Sequence, residues 1–189
     1  MRGSAALWFA GGLVCAGLLP AADGDRNPVP ESIGQVLHFT EGQFLAVAEA
    51  MPEKSYRFAA AGPGFAGVRT FAEQVMHVAC GNFAFFNEIE HKAPPERCEK
   101  GGPRTFSTKA EILKYLHESF DYGNQVLAAM TDAAAKDKVQ GQYWGGTTGL
   151  TVAVAAVWHI ADHYGQLVPY LRMNNIVPPP TKDYPLKVR

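Results

Sequence analysis

The chain has 189 residues, 47% of them hydrophobic, with 17 Lys+Arg against 18 Asp+Glu and a formal net charge of -1. That length supports one domain with a sizeable core and is short for two. The near-neutral balance offers no basic footprint for a phosphate backbone, so no nucleic-acid partner is expected, and the apolar fraction excludes disorder for most of the chain.

The first element is an export signal. Arg2 is followed by an uncharged run from Ala5 to Leu19 and then by the small residues Ala21, Ala22 and Gly24, the order of a secretory signal peptide. The run contains Gly11, Gly12 and Gly17 and falls short of the ~20 apolar residues that span a bilayer, so no stable membrane span is expected after cleavage. Cys15 follows Val14, a large residue where a lipoprotein signal carries a small one. We therefore assign residues 1–22 to a signal peptide and expect a periplasmic or extracellular protein. Its removal takes out Arg2 and Cys15 and no acid, leaving 16 basic against 18 acidic residues and two cysteines. In an oxidising compartment Cys80 and Cys98 can pair, or they can remain a buried and an exposed thiol; their spacing leaves both open.

Four helices follow. Ile33, Val36, Leu37, Phe44, Val47, Ala48 and Met51 recur at steps of mostly three and four, which predicts an amphipathic helix opened near Glu31-Ser32 and stopped by Pro52. Residues 53–68 read as loop. A second helix runs from Thr70 to His91, with Phe71, Val75, Val78, Asn82, Phe86 and Ile89 on one face, and Pro94-Pro95 ends it. In the third, Thr108 and Glu111 have the spacing of a capping box, and the apolar pattern continues to about Ala135. A glycine-rich linker around Tyr143-Trp144 leads to the fourth, from about Thr148 to Met173, where Pro169 predicts a kink beyond His163. No stretch alternates with period two, so the fold class is all-α, a four-helix bundle. Residues 178–189, with Pro178-Pro179-Pro180, form a Pro-rich C-terminal tail.

Among six histidines, His159 and His163 stand four apart on the fourth helix, one above the other, where two imidazoles can share a divalent metal if a third ligand comes from elsewhere. Both lie more than about a quarter-turn from the centre of the apolar stripe of that helix, and His77 lies off the stripe of the second, so none is explained as packed core, and spacing alone leaves three ordinary surface histidines as the alternative to ligands. His38, His91 and His117 read as surface residues. Asp162 reads as a solvated or supporting carboxylate, and Gln74, Gly81, Tyr164, Gln166 and Tyr170 lie near the histidines by helical phase. No phosphate-binding glycine loop, G-x-S-x-G elbow or H-E-x-x-H is present.

The run Arg69-Thr70-Phe71-Ala72-Glu73-Gln74-Val75-Met76-His77-Val78-Ala79, followed by Trp158-His159-Ile160-Ala161-Asp162-His163-Tyr164-Gly165-Gln166-Leu167 and Tyr170-Leu171-Arg172-Met173-Asn174, resembles the DinB/YfiT-like superfamily of metalloenzymes. The resemblance extends over about residues 31–180 and implies a DinB-like bundle over residues 31–177, with a divalent metal held by His77, His159 and His163. It further implies a metal-dependent hydrolase or a thiol-dependent transferase, with no catalytic residue assigned. An export signal argues against a cytosolic thiol cofactor. Three imidazoles suit Zn, Ni, Cu and Fe, with Zn or Ni preferred, and leave coordination positions open for a small-molecule substrate. The contrasting expectation is a non-catalytic metal- or ligand-binding module of the cell envelope. Apolar stripes on long helices also allow a homodimer.

Overall fold

The computed structural model describes residues 27–93, 98, 106–141 and 143–179; the signal peptide assigned to residues 1–22 lies outside them, as does the tail beyond residue 179. Four helices make up the fold: α1 (Pro28–Ala50), α2 (Phe71–Ile89), α3 (Lys109–Ala129) and α4 (Gly149–Met173). Among the described residues there is no strand, only an isolated antiparallel bridge between Lys138 and Thr148. No described helix is long and apolar enough to cross a membrane.

The helix starts are chemically marked. On α2 the Thr70 side chain accepts from the Glu73 N–H while the Glu73 carboxylate accepts from the Thr70 N–H, a complete capping box; Thr108 and Glu111 repeat it on α3, as the spacing predicts. Thr148 caps α4 by accepting from the Thr151 N–H. At the other end of α1, Lys109 Nζ donates to the carbonyls of Glu49 and Met51, at 2.6 and 2.9 Å, supplying a cation where the helix leaves acceptors free.

Two boundaries differ from the sequence reading, and that of α4 agrees with it. α1 begins at Pro28, earlier than Glu31-Ser32, because proline has no N–H to lose in a first turn. α3 ends at Ala129: Met130 turns extended, and Thr131 Oγ1 accepts from the Ala134 N–H to start a separate 3₁₀ turn over Ala134–Lys136. α4 stays helical through Pro169 to Met173.

Each of α1 and α2 packs against both α3 and α4. The shared core holds Leu37, Phe44, Phe71, Phe86, Leu116, Phe120, Ile160, Leu167 and Leu171, all fully buried, at roughly 1.5–3 kcal/mol of transfer free energy for each such side chain. Val36, assigned to the inner face by its spacing, stands at the surface instead. The consequence for function is that α2 and α4, separated by a whole helix in sequence, lie side by side.

Candidate metal centre

That α2–α4 seam carries His77 from one side and His159 and His163 from the other. Each residue offers a ligand atom, and these atoms all lie within 4.8 Å of one another. Ring centroids are 5.0 Å apart for His77–His159, 4.8 Å for His77–His163 and 4.5 Å for His159–His163. The three residues selected in the sequence are thus brought to one point. His163, however, is only 7% exposed and belongs to the buried face of α4. That face is wider than the apolar stripe suggests, because α4 packs on α1 and α2 at once and small residues such as Ala153 and Ala156 let it sit close.

The chain keeps these imidazoles neutral. Burial, then the Arg69 cation and then His163, lower the pKa of His77 from 6.5 to about 4. Burial, with its two histidine neighbours and Arg69, lowers His159 to about 3. His163 is also held down by burial, against the opposing pull of the Asp162 carboxylate. Neutral imidazole is the ligating form, so near neutral pH the cluster presents lone pairs rather than three repelling cations.

Two observations test whether a metal fits. His77 Nε2 and His159 Nε2 are 3.2 Å apart, close to the ~3.3 Å that separates two nitrogens on one tetrahedral ion at 2.0–2.1 Å. The same distance serves an N–H···N hydrogen bond, but a hydrogen bond does not account for the third ring. His163 Nδ1 is buried with no hydrogen-bond partner, an arrangement that costs free energy unless something outside the chain meets it. The donor set fits a divalent cation, with coordination positions left over.

The supporting residues have definite tasks. A Cβ on Gly81 would come within 2.6 Å of His159 Cε1, so a residue without a side chain is what lets the ring lie against α2. Gln74 Nε2 donates to Gln166 Oε1 at 2.5 Å, and Gln166 Nε2 donates to Asp162 Oδ2 at 2.7 Å, tying α2 to α4 one turn from the histidines. Asp162 thus holds the glutamine that bridges the two helices. Tyr170 donates to the Arg69 carbonyl at 2.8 Å, fixing the residue just ahead of the α2 cap; Tyr164 packs partly buried against the core. His38 pairs with Glu41 and His117 approaches Glu49, both in exposed positions, and His91 is exposed where α2 ends, so these three stand apart from the cluster.

A cleft of about 300 Å³ opens beside His77 and His159, lined also by Ala84, Phe85, Glu88 and Trp144. Cys80 and Cys98 form a disulfide in its wall, with Cα atoms 5.3 Å apart, which settles the pairing that spacing left open. Glu88 had no sequence signal: a glutamate near a helix end reads as solvated, yet this one is 2% exposed and accepts from the backbone N–H groups of Tyr143 and Trp144, at 2.7 and 3.0 Å. A Cβ at Gly141 would overlap its carboxyl group. The glycine-rich composition of the linker was the one available hint that something approaches its backbone closely.

Fold and site together define a four-helix bundle whose second and fourth helices assemble a histidine triad able to hold a metal ion. The chain belongs to the DinB superfamily, whose family model matches residues 36–167 and so takes in all three histidines. No curated protein matches the sequence.

Proposed function

We propose that the protein is an exported metal-dependent enzyme that holds a divalent cation, Zn or Ni, on His77, His159 and His163 and acts on a small molecule admitted through the adjoining cleft. The observation that carries this reading is the convergence of three neutral imidazoles, one of them with a partnerless buried nitrogen, beside a cleft that two of them line. When bound, the cation supplies a Lewis acid with free coordination positions. Around it, Gly81 sets the position of His159, the Gln74–Gln166–Asp162 brace fixes the α2–α4 spacing, and Phe85, edge-on to His159 at 5.4 Å, keeps water from one side of the ring. The Arg69 cation, whose field reaches all three rings, favours an electron-rich substrate group at the shared point. Hydrolysis and thiol transfer both use such a site. The Cys80–Cys98 disulfide supports export, and the exposed Val154 and Trp158 on α4 support a homodimer.

One observation favours a non-catalytic binding module. Glu88 is the one carboxylate lining the cleft among the described residues, and it is already engaged by two backbone N–H groups. Elemental analysis of the purified mature protein beside His159→Ala and His163→Ala separates these readings, with a screen of hydrolase and thiol-transfer substrates. We expect stoichiometric metal in the parent and its loss in both variants; a metal-free parent rules out the centre, and a silent screen on loaded protein favours the binding module.

A further inference from the structure

The face of α2 that carries His77 continues into a second chemistry. His77, Cys80, Gly81, Ala84, Phe85 and Glu88 follow one another at steps of three, one, three, one and three residues, so they form a single stripe, and all six line the cleft. The stripe covers about three turns, roughly 16 Å at 1.5 Å per residue, with the histidines at one end and Glu88 at the other. The cleft is therefore an elongated groove with two polar ends. Between them the wall is aromatic: Trp144 lies 6.0 Å from Phe85, which lies 5.4 Å from His159, ring centroid to ring centroid.

Glu88 is the unexplained group. A carboxylate offers about four acceptor positions, and this one uses two, both on neutral N–H donors. Among the described residues no ion pair reaches it and no Lys or Arg lines the groove. A buried carboxylate that meets no cation is costly to maintain, and the two neutral N–H donors, one on each oxygen, leave its charge uncompensated. Its position in the groove, beside rings whose faces attract cations, suits a positively charged hydrogen-bond donor.

We propose that the groove is a subsite for a primary ammonium group on an elongated ligand: Glu88 takes the cationic end, Phe85 and Trp144 enclose an apolar stem, and the far end reaches the three histidines. The ammonium subsite stands on the groove alone; the reach to the histidines rests on the metal-centre reading above. Anionic groups are disfavoured at the Glu88 end, which restricts the substrate class to amines whose reacting group lies a stem's length from the nitrogen.

Calorimetric titration of the mature, disulfide-intact protein with n-hexylammonium and with n-hexanol tests the subsite without any metal. The ammonium ion is expected to bind about tenfold or more tightly than the alcohol, and Glu88→Gln to abolish that preference. Equal binding of the two probes, binding of neither, or a preference that survives Glu88→Gln overturns the proposal. Should Glu88→Gln fail to fold, Trp144→Ala takes its place: it is expected to weaken both probes alike and keep their ratio, and an unchanged affinity for both removes the groove as the site. An ω-amino alkyl hydroxamate against its uncharged counterpart, on metal-loaded protein, then tests the reach. A gain for the amino form that requires both Glu88 and His163 supports it. Ammonium binding with no added gain from the hydroxamate overturns the reach while the subsite stands.

Discussion

The two seams that α2 makes with its neighbours are built from different material. Toward α3, Phe86 packs against Gly123, Phe83 sits between Tyr115 and Tyr122 at 5.2 and 5.7 Å, and Asn82 donates to Ser119 at 3.1 Å. Toward α4 the seam holds three histidines, two glutamines and a glycine where a packed core would place aliphatic residues. Among the described residues, three of the four buried side-chain atoms without a partner, Gln74 Oε1, His159 Nδ1 and His163 Nδ1, belong to the α4 side. One seam holds the bundle together, and the other leaves polar valence for something outside the chain to meet.

That contrast breaks most visibly at Phe86. Phe86→Ala should lower the unfolding free energy by about 3–5 kcal/mol in urea titrations, since a fully buried ring is lost from the structural seam; a cost below ~1 kcal/mol would mean the α3 side carries no special share of stability. Gly81→Ala tests the opposite side. Replacing a mid-helix glycine adds up to about 1 kcal/mol of helix propensity, but the new methyl pushes on the His159 ring. Unchanged or raised stability is expected together with a roughly 10–100-fold loss of metal affinity in competition titrations with a chelator. Unchanged affinity would detach Gly81 from the centre.

A third effect is on pH dependence. His77 and His159 have folded pKa values of about 4 and 3 against 6.5 for the free side chain. Between those limits the unfolded chain binds more protons, so stability is full above about pH 6.5 and falls as the pH drops toward 4 and below. Melting temperatures of the metal-free protein across that range should decline with acid, and a His77→Gln/His159→Gln variant should decline less; parallel curves would place the acid sensitivity elsewhere.

Much of this architecture was legible in residue spacing. The steps of Phe71, Val75, Val78 and Phe86 give α2, and Thr108 with Glu111 gives the start of α3, because capping and burial act locally. The histidine triad was legible through spacing joined to family resemblance, since no local rule says that α2 and α4 are neighbours. What escaped depends on contacts between segments distant in sequence. His163 is buried because α4 meets two helices at once, and Glu88 is buried because Gly141, Tyr143 and Trp144 lie against it. The Thr70–Glu73 box, identical in kind to that of α3, was present in the letters and went unread.

The Cys80–Cys98 bond carries a consequence for every preparation of this protein. It anchors Cys98, 18 residues downstream, onto the middle of α2, one turn from His77, and closing a loop of that length restricts the unfolded chain by about 3 kcal/mol. The wall of the groove is thus a product of redox history as well as of sequence. Two samples with identical composition, one matured under oxidising conditions and one kept reduced, are chemically different receptors, and affinities measured on one do not transfer to the other.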